Sequence, residues 1–208
     1  MTEKQRYNAL LAKKAIKEFE KRNIQGFYCE TKEEALKKAL EIIPKKSSVS
    51  WGGSITIHEV GLPEALESGE YKILDASEGK GGAEMDRIAH EALSCDYYIM
   101  SANAIAMTGE LVNSDGIGNR VSSLSYGPKN VIVIAGINKV EQNLDAAIFR
   151  LKTRAAPLVF LTYDKSDVPS FEELLKKSEG IGSQLLITTM SIFKDRIKVI
   201  LVGESLGF

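Results

Sequence analysis

Along the chain, segments whose apolar residues recur at helical spacing alternate with short runs that are apolar at nearly every position. Tyr7, Leu11, Ala15 and Phe19, with Ala12 and Ile16 beside them, form a stripe across the first 22 residues, and Lys, Glu and Arg fill the other face. Residues 26–29 read as a short strand. Thr31 and Glu34 form a capping box for a helix through Leu36, Ala39, Leu40 and Ile43 that stops before Pro44. A strand over 47–51 runs into Gly52-Gly53-Ser54, and 55–60 can begin a helix. Residues 71–74 predict another strand. After a glycine-bearing loop, Met85, Ile88, Ala89, Ala92 and Leu93 mark an amphipathic helix, and 96–100 the next strand. The run 131–135, bounded by Pro128 and Gly136, is apolar throughout and β-branched until its last residue, which predicts a strand buried on both faces. Val140, Leu144, Ala147, Ile148 and Leu151 outline a helix with Arg150, Lys152 and Arg154 near its end and Pro157 just beyond. Residues 158–161 predict a strand, Ser170 and Glu173 cap a short helix ending at Gly180, and 197–202 form the last strand.

Strands that alternate with helices in this way predict an α/β fold: a Rossmann-like, mostly parallel sheet with helices on both faces. The boundary falls near residue 25, with a helical N-terminal extension over 1–25 and one α/β domain over 26–208. At 208 residues the chain can bury a sizeable core. Its 27 basic and 28 acidic side chains give no bulk electrostatic case for nucleic acid or a membrane surface. The first residues are too charged for a signal peptide, and no apolar run is long enough to span a bilayer, so a cytoplasmic location is expected. Cys29 and Cys95 stand alone. They cannot supply the ligands of an iron–sulfur cluster or a structural zinc, and neither is expected.

Candidate chemistry concentrates in 103–139. Gly52, Gly53 and Ser54 sit where a strand meets a helix, a place suited to a phosphate or carboxylate; a tight turn capped by Ser54 or Thr56 explains them as well. Asn113, Asp115, Gly116, Gly118, Asn119 and Arg120 crowd hydrogen-bonding groups and glycines into eight residues. They predict either a ligand-facing loop, with Arg120 gripping an anion in bidentate fashion, or a loop held by Asx turns and an Arg120–Asp115 pair. Asn138 and Lys139 follow the buried strand, where open parallel sheets bind ligands, although Asn138 as a helix cap with Lys139 exposed fits too. Asn103 and Thr108 complete the candidate binding set. Glu110, Glu59 and Asp115 are the carboxylates available for catalysis. His58 and His90 lack the context of a nucleophilic triad.

The runs Val49-Ser50-Trp51-Gly52-Gly53-Ser54, Ile105-Ala106-Met107-Thr108-Gly109-Glu110-Leu111-Val112-Asn113, Asp115-Gly116-x-Gly118-Asn119-Arg120-Val121, Tyr126-Gly127-Pro128-Lys129 and Gly136-x-Asn138-Lys139, with the ending from Arg196 to Phe208, resemble the lactate-utilization (LUD) domain family. The resemblance implies a NagB/RpiA/CoA-transferase-like sheet, whose distant relatives bind CoA esters, sugar phosphates or a folate with ATP. It implies a non-redox accessory protein of lactate or organic-acid utilization that binds an anionic small molecule beside other lactate-utilization subunits. A CoA-transferase-like or cyclo-ligase-like enzyme and a ligand-binding regulatory module are the alternatives, and a homodimer is left open. Similar proteins often carry cysteines between the positions of Pro157 and the last strand. Residues 158–194 here hold none, which argues against a redox role for that segment.

Overall fold

The computed structural model describes residues 1–208. The elements run α1 (Glu3–Glu20), β1 (Gln25–Cys29), α2 (Lys32–Ile42), β2 (Ser48–Trp51), α3 (Ile55–Glu59), α4 (Leu62–Glu67), β3 (Lys72–Leu74), α5 (Gly82–Ala92) and β4 (Tyr97–Met100). They continue with β5 (Ala104–Ala106), β6 (Leu111–Asp115), α6 (Asn119–Ser125), β7 (Asn130–Gly136), β8 (Val140–Glu141), α7 (Leu144–Arg150), α8 (Ala156–Tyr163), α9 (Phe171–Ser178), β9 (Gln184–Thr188) and β10 (Ile197–Val202). Six strands form an all-parallel sheet in the order β1-β10-β7-β4-β2-β3.

The two central strands explain why both faces of this sheet are covered. In β7 and β10, successive side chains point to opposite faces and nearly all are Val, Ile or Leu. Val131, Val133, Val199 and Leu201 enter one core with Ala12, Ala15 and Phe19 of α1, Ala92 of α5 and Leu124 of α6. Ile132, Ile134, Ile200 and Val202 enter the other with Ala35 and Ala39 of α2, Ile57 of α3, and Leu62 and Leu66 of α4. Each such side chain, once buried, contributes about 1.5–3 kcal/mol, so leaving either face open to water is untenable. α1 belongs to this body: its small residues let it lie close on the sheet, and Asn8 Nδ2 donates to Gly203 O at 2.9 Å. Helix α5 keeps only its C-terminal end in the core; Met85 is 43% exposed.

A second, four-stranded sheet is ordered β8-β5-β6-β9; β5 and β6 are inserted between β4 and β7, β8 follows β7, and β9 closes the sheet from far along the chain. Small residues face its own core: Ala104, Ala106 and Val112 pack on Ala147 and Leu151. The strand expected over 158–161 is instead helix. Residues 144–163 are one helical run in which Leu151–Ala155 widens into a π turn. Ala156 N–H donates to Leu151 O, five residues back. Pro157 has no N–H to continue the α ladder and its ring crowds the carbonyl four residues earlier, so the wider turn accommodates the proline without ending the helix. The apolar run after Pro157 thus serves as a helix face, and its lack of clear periodicity at four residues could not separate helix from strand.

Candidate functional site

The connections of the parallel sheet locate a crevice. From β2 the chain leaves towards β3 on one side, and from β4 it leaves towards β7 on the other, although β2 and β4 are neighbours. Chain ends that diverge from adjacent strands leave a gap beyond their carboxyl ends, the usual place for a ligand in an open α/β sheet. Here the small sheet, α6 and the π-turn helix roof that gap. The result is a cavity of about 700 Å³, a size suited to a metabolite.

Strand ends of the large sheet make the floor. Gly53, Ser54 and Thr56 follow β2, Ser101 and Asn103 follow β4, and Lys139 ends the 3-10 turn after β7. Lys139 is only 4% exposed. Its Nζ donates to Thr56 Oγ1 at 2.9 Å and Ser101 Oγ at 3.0 Å, and these two neutral hydroxyls are its only hydrogen-bond partners. Burial, reinforced by Arg150 and Arg120 and opposed by Glu59, pushes its pKa down to about 7. Arg150, itself buried, donates from Nη1 to Asn103 O at 2.5 Å and from Nε to Asn138 O at 3.1 Å, tying two strand ends together from beneath. The tail after β10 folds over the same end. Asn138 Oδ1 accepts from Leu206 N at 3.0 Å, Glu59 Oε2 accepts from Gly207 N at 2.7 Å, and Phe208 reaches the cavity.

The wall is built on β6 and α6, and its charges are paired. Arg120 Nε donates to Asp115 Oδ1 at 2.7 Å and its Nη2 to Ser114 O at 2.6 Å. Asp115 Oδ2 accepts from Val121 N at 2.9 Å, so this carboxylate also caps the start of α6. Of the two arrangements open to Arg120, the pair with Asp115 is therefore formed, and only Nη1 is left without a hydrogen bond. Floor and wall meet at Gly52: a Cβ there would lie 2.6 Å from Arg120 Cδ and 2.8 Å from Tyr98 Oη. Gly118, at φ +90°, turns the chain from β6 into α6. Ser114 Oγ and Ser54 Oγ are buried at the cavity with no hydrogen-bond partner. Opposite them the lining is apolar, from Leu151, Ala156 and Val159 on the helical run and Ile117, Ile181 and Phe208 around the rim.

Gly53, Ser54, Asn103, Asp115, Gly116, Asn119, Arg120 and Lys139 thus border one cavity, with His58 at its mouth. Other candidates lie elsewhere. Glu110 and Thr108 hold α1: Arg22 Nη2 donates to Glu110 Oε1 at 2.5 Å, and Thr108 Oγ1 to Glu110 Oε2 at 2.5 Å. Asn138 staples the tail, and Asn113 is fully buried within β6, its side-chain amide without a partner and away from the cavity. Sequence reasoning overlooked Thr56 as a floor residue, Ser101, Ser114 and Arg150. Ser101 could have been found, because it directly follows an apolar strand; Arg150 looked like an ordinary basic helix end.

The cysteines lie on opposite faces of the large sheet, Cys95 in the core under α1 and Cys29 in the core under α2. Burial raises their thiol pKa values to about 12 and about 11. No three His, Cys, Asp or Glu side chains group in a way that could hold a metal ion, and no helix is long and apolar enough to cross a membrane.

No protein of curated function matches the chain. The crystal structure of a DUF162 family protein from Deinococcus radiodurans is similar in fold, with a TM-score of 0.53 at 14% identity over 95% of this chain and 98% of that one. The LUD domain family matches across residues 12–202, which takes in both sheets, the floor lysine and the paired wall, and the chain belongs to that family.

Proposed function

We propose that this protein binds an anionic small molecule in the cavity and serves organic-acid utilization as a non-redox accessory protein. The observation that carries the reading is Lys139, a buried cation facing the cavity with two hydroxyls and no carboxylate as partners. An ammonium group in such a place is stabilised by an anion that arrives from outside, and the free Nη1 of Arg120 and the unpartnered hydroxyls of Ser54 and Ser114 add donors around it. The apolar side of the lining favours an anion that carries a short carbon chain. The organic-acid part rests on the family resemblance. The alternative of carboxylate-driven catalysis is less favoured, because Asp115, Glu59 and Glu110 are each engaged in holding structure.

Thermal denaturation against phosphate, an acyl-CoA and a hydroxy acid tests this reading. At least one of them raises the Tm of the wild type and leaves Lys139→Met unmoved. A charge-assisted hydrogen bond contributes about 1.5–3 kcal/mol, so loss of Lys139 weakens the bound anion roughly ten- to a hundredfold. If no anion at millimolar concentration stabilises the wild type, the small-molecule reading is abandoned.

A further inference from the structure

The surroundings of Lys139 go further than a binding charge. We propose that Lys139 captures its ligand covalently: Nζ condenses with the carbonyl carbon of an oxo acid held in the cavity, forming an iminium link and releasing water. This rests on the reading of the cavity as an anion site and names the substrate class.

The geometry fits an amine kept for reaction. The buried cations that hold structure here are met by a carboxylate or by carbonyl oxygens, as Arg120 is by Asp115 and Arg196 by three backbone carbonyls. Lys139 has hydroxyl groups only, at 2.9 and 3.0 Å, and these can exchange protons with it in either direction. The tail packs close beside Nζ: Gly207 stands at φ +56°, and a Cβ there would meet Thr56 Oγ1 and come within 3.3 Å of Nζ, so only glycine leaves the amine and its hydroxyl partner undisturbed. Burial among Arg120 and Arg150, with Glu59 as the one opposing acid and His58 at the mouth, keeps a large fraction of the amine unprotonated near neutrality. A carboxylate on the same ligand would find Arg120 Nη1 and the hydroxyls of Ser54 and Ser114.

The chemistry balances without an oxidant or reductant. The nitrogen lone pair attacks the carbonyl carbon, and the C=O π pair moves to oxygen. That oxygen takes the proton shed by nitrogen, relayed by the Thr56 or Ser101 hydroxyl. The nitrogen then expels the oxygen as water with one further proton from solvent, leaving a protonated carbon–nitrogen double bond. The iminium retains the positive charge beside the ligand's carboxylate.

Reductive trapping tests it. The wild-type protein is incubated at pH 7 with 2-oxobutyrate and cyanoborohydride, and labelled lysines are mapped by peptide mass spectrometry. Each reduced adduct adds the mass of the oxo acid less one oxygen. Lys139 is expected to label at least roughly tenfold faster than any exposed lysine, because burial lowers its pKa to about 7 and frees the amine at that pH. Lys139→Arg, which keeps the charge, loses the adduct. Mapping on the wild type makes the result independent of whether the variant folds. Labelling of Lys139 no faster than of the exposed lysines overturns the proposal.

A second probe, 2-butanone, separates this idea from the anion reading. If Lys139 shows the same preference over exposed lysines with 2-butanone as with the oxo acid, covalent capture stands and the anion site does not. If neither probe labels Lys139 while an anion still raises the Tm, the anion site stands and covalent capture falls.

Discussion

Arg120 and Lys139 reach the same cavity, one from its wall and the other from its floor, and the protein treats the two charges differently. On the wall, Arg120 is clamped by Asp115, which also caps α6, so the charge holds β6 and α6 together. On the floor, Lys139 sits at the end of the large sheet among hydroxyls, buried and with no carboxylate bonded to it. A buried charge with its partner is scaffold; removing that partner is costly. A buried charge without one is a standing cost to the fold, retained where something outside the chain completes it.

The largest effect should come from unpairing the wall. Asp115→Ala leaves Arg120 largely buried without its counter-charge and strips Val121 N–H of its acceptor, and a loss of about 3–5 kcal/mol is expected from the urea midpoint. A loss below about 1 kcal/mol would show that the pair does not hold the wall.

The floor should answer to pH. With its folded pKa pushed down to about 7 from the ordinary lysine value of 10.5, Lys139 binds a proton less readily in the folded chain than in the unfolded one. The unfolded state therefore binds more protons between those values, and stability rises as pH climbs through the window; the penalty is complete below its lower end. Other groups titrate over the same range, so the measured quantity is the difference between wild type and Lys139→Met. That difference should favour the variant most below pH 7 and shrink by on the order of 3 kcal/mol by pH 10. A difference that stays flat would mean that Lys139 keeps its ordinary pKa and that the floor charge is solvated.

The smallest contrast lies at the seam. Gly52→Ala forces a methyl group against Arg120 and the Tyr98 hydroxyl, and should cost about 1–3 kcal/mol. One residue on, Gly53→Ala meets nothing within 4 Å and should stay within about 0.5 kcal/mol. Equal costs at the two positions would mean that close approach of the wall is not what requires glycine at Gly52.

The large sheet was legible because β7 carries a continuous apolar run, β10 is apolar but for Lys198, and its helices carry periodic stripes. The small sheet was not. Its strands are short, and β5 and the end of β6 carry alanine, asparagine, serine and aspartate, residues that local preference assigns to helices or turns. Its closing pair, β6 with β9, joins residues about seventy positions apart. Asn113, Ser114 and Asp115 therefore read as loop, although they lie buried in a strand. Gly53, Arg120 and Lys139 were visible from their residue types and their places at strand ends. Which charge would be paired was not, because that depends on Asp115 pointing back along its own turn. Glu110 looked available until α1 folded over and delivered Arg22 to it.

The π turn before Pro157 has a consequence for spacing. A π turn holds one residue more than an α turn, so everything after it is advanced by one position, or about 100° around the helix axis. Removing a single residue from Leu151–Ala155 would leave the composition of α8 untouched and swing Val159 away from the cavity. The apolar side of the cavity is thus set by a count of residues, and a one-residue deletion would alter its lining more than many substitutions could.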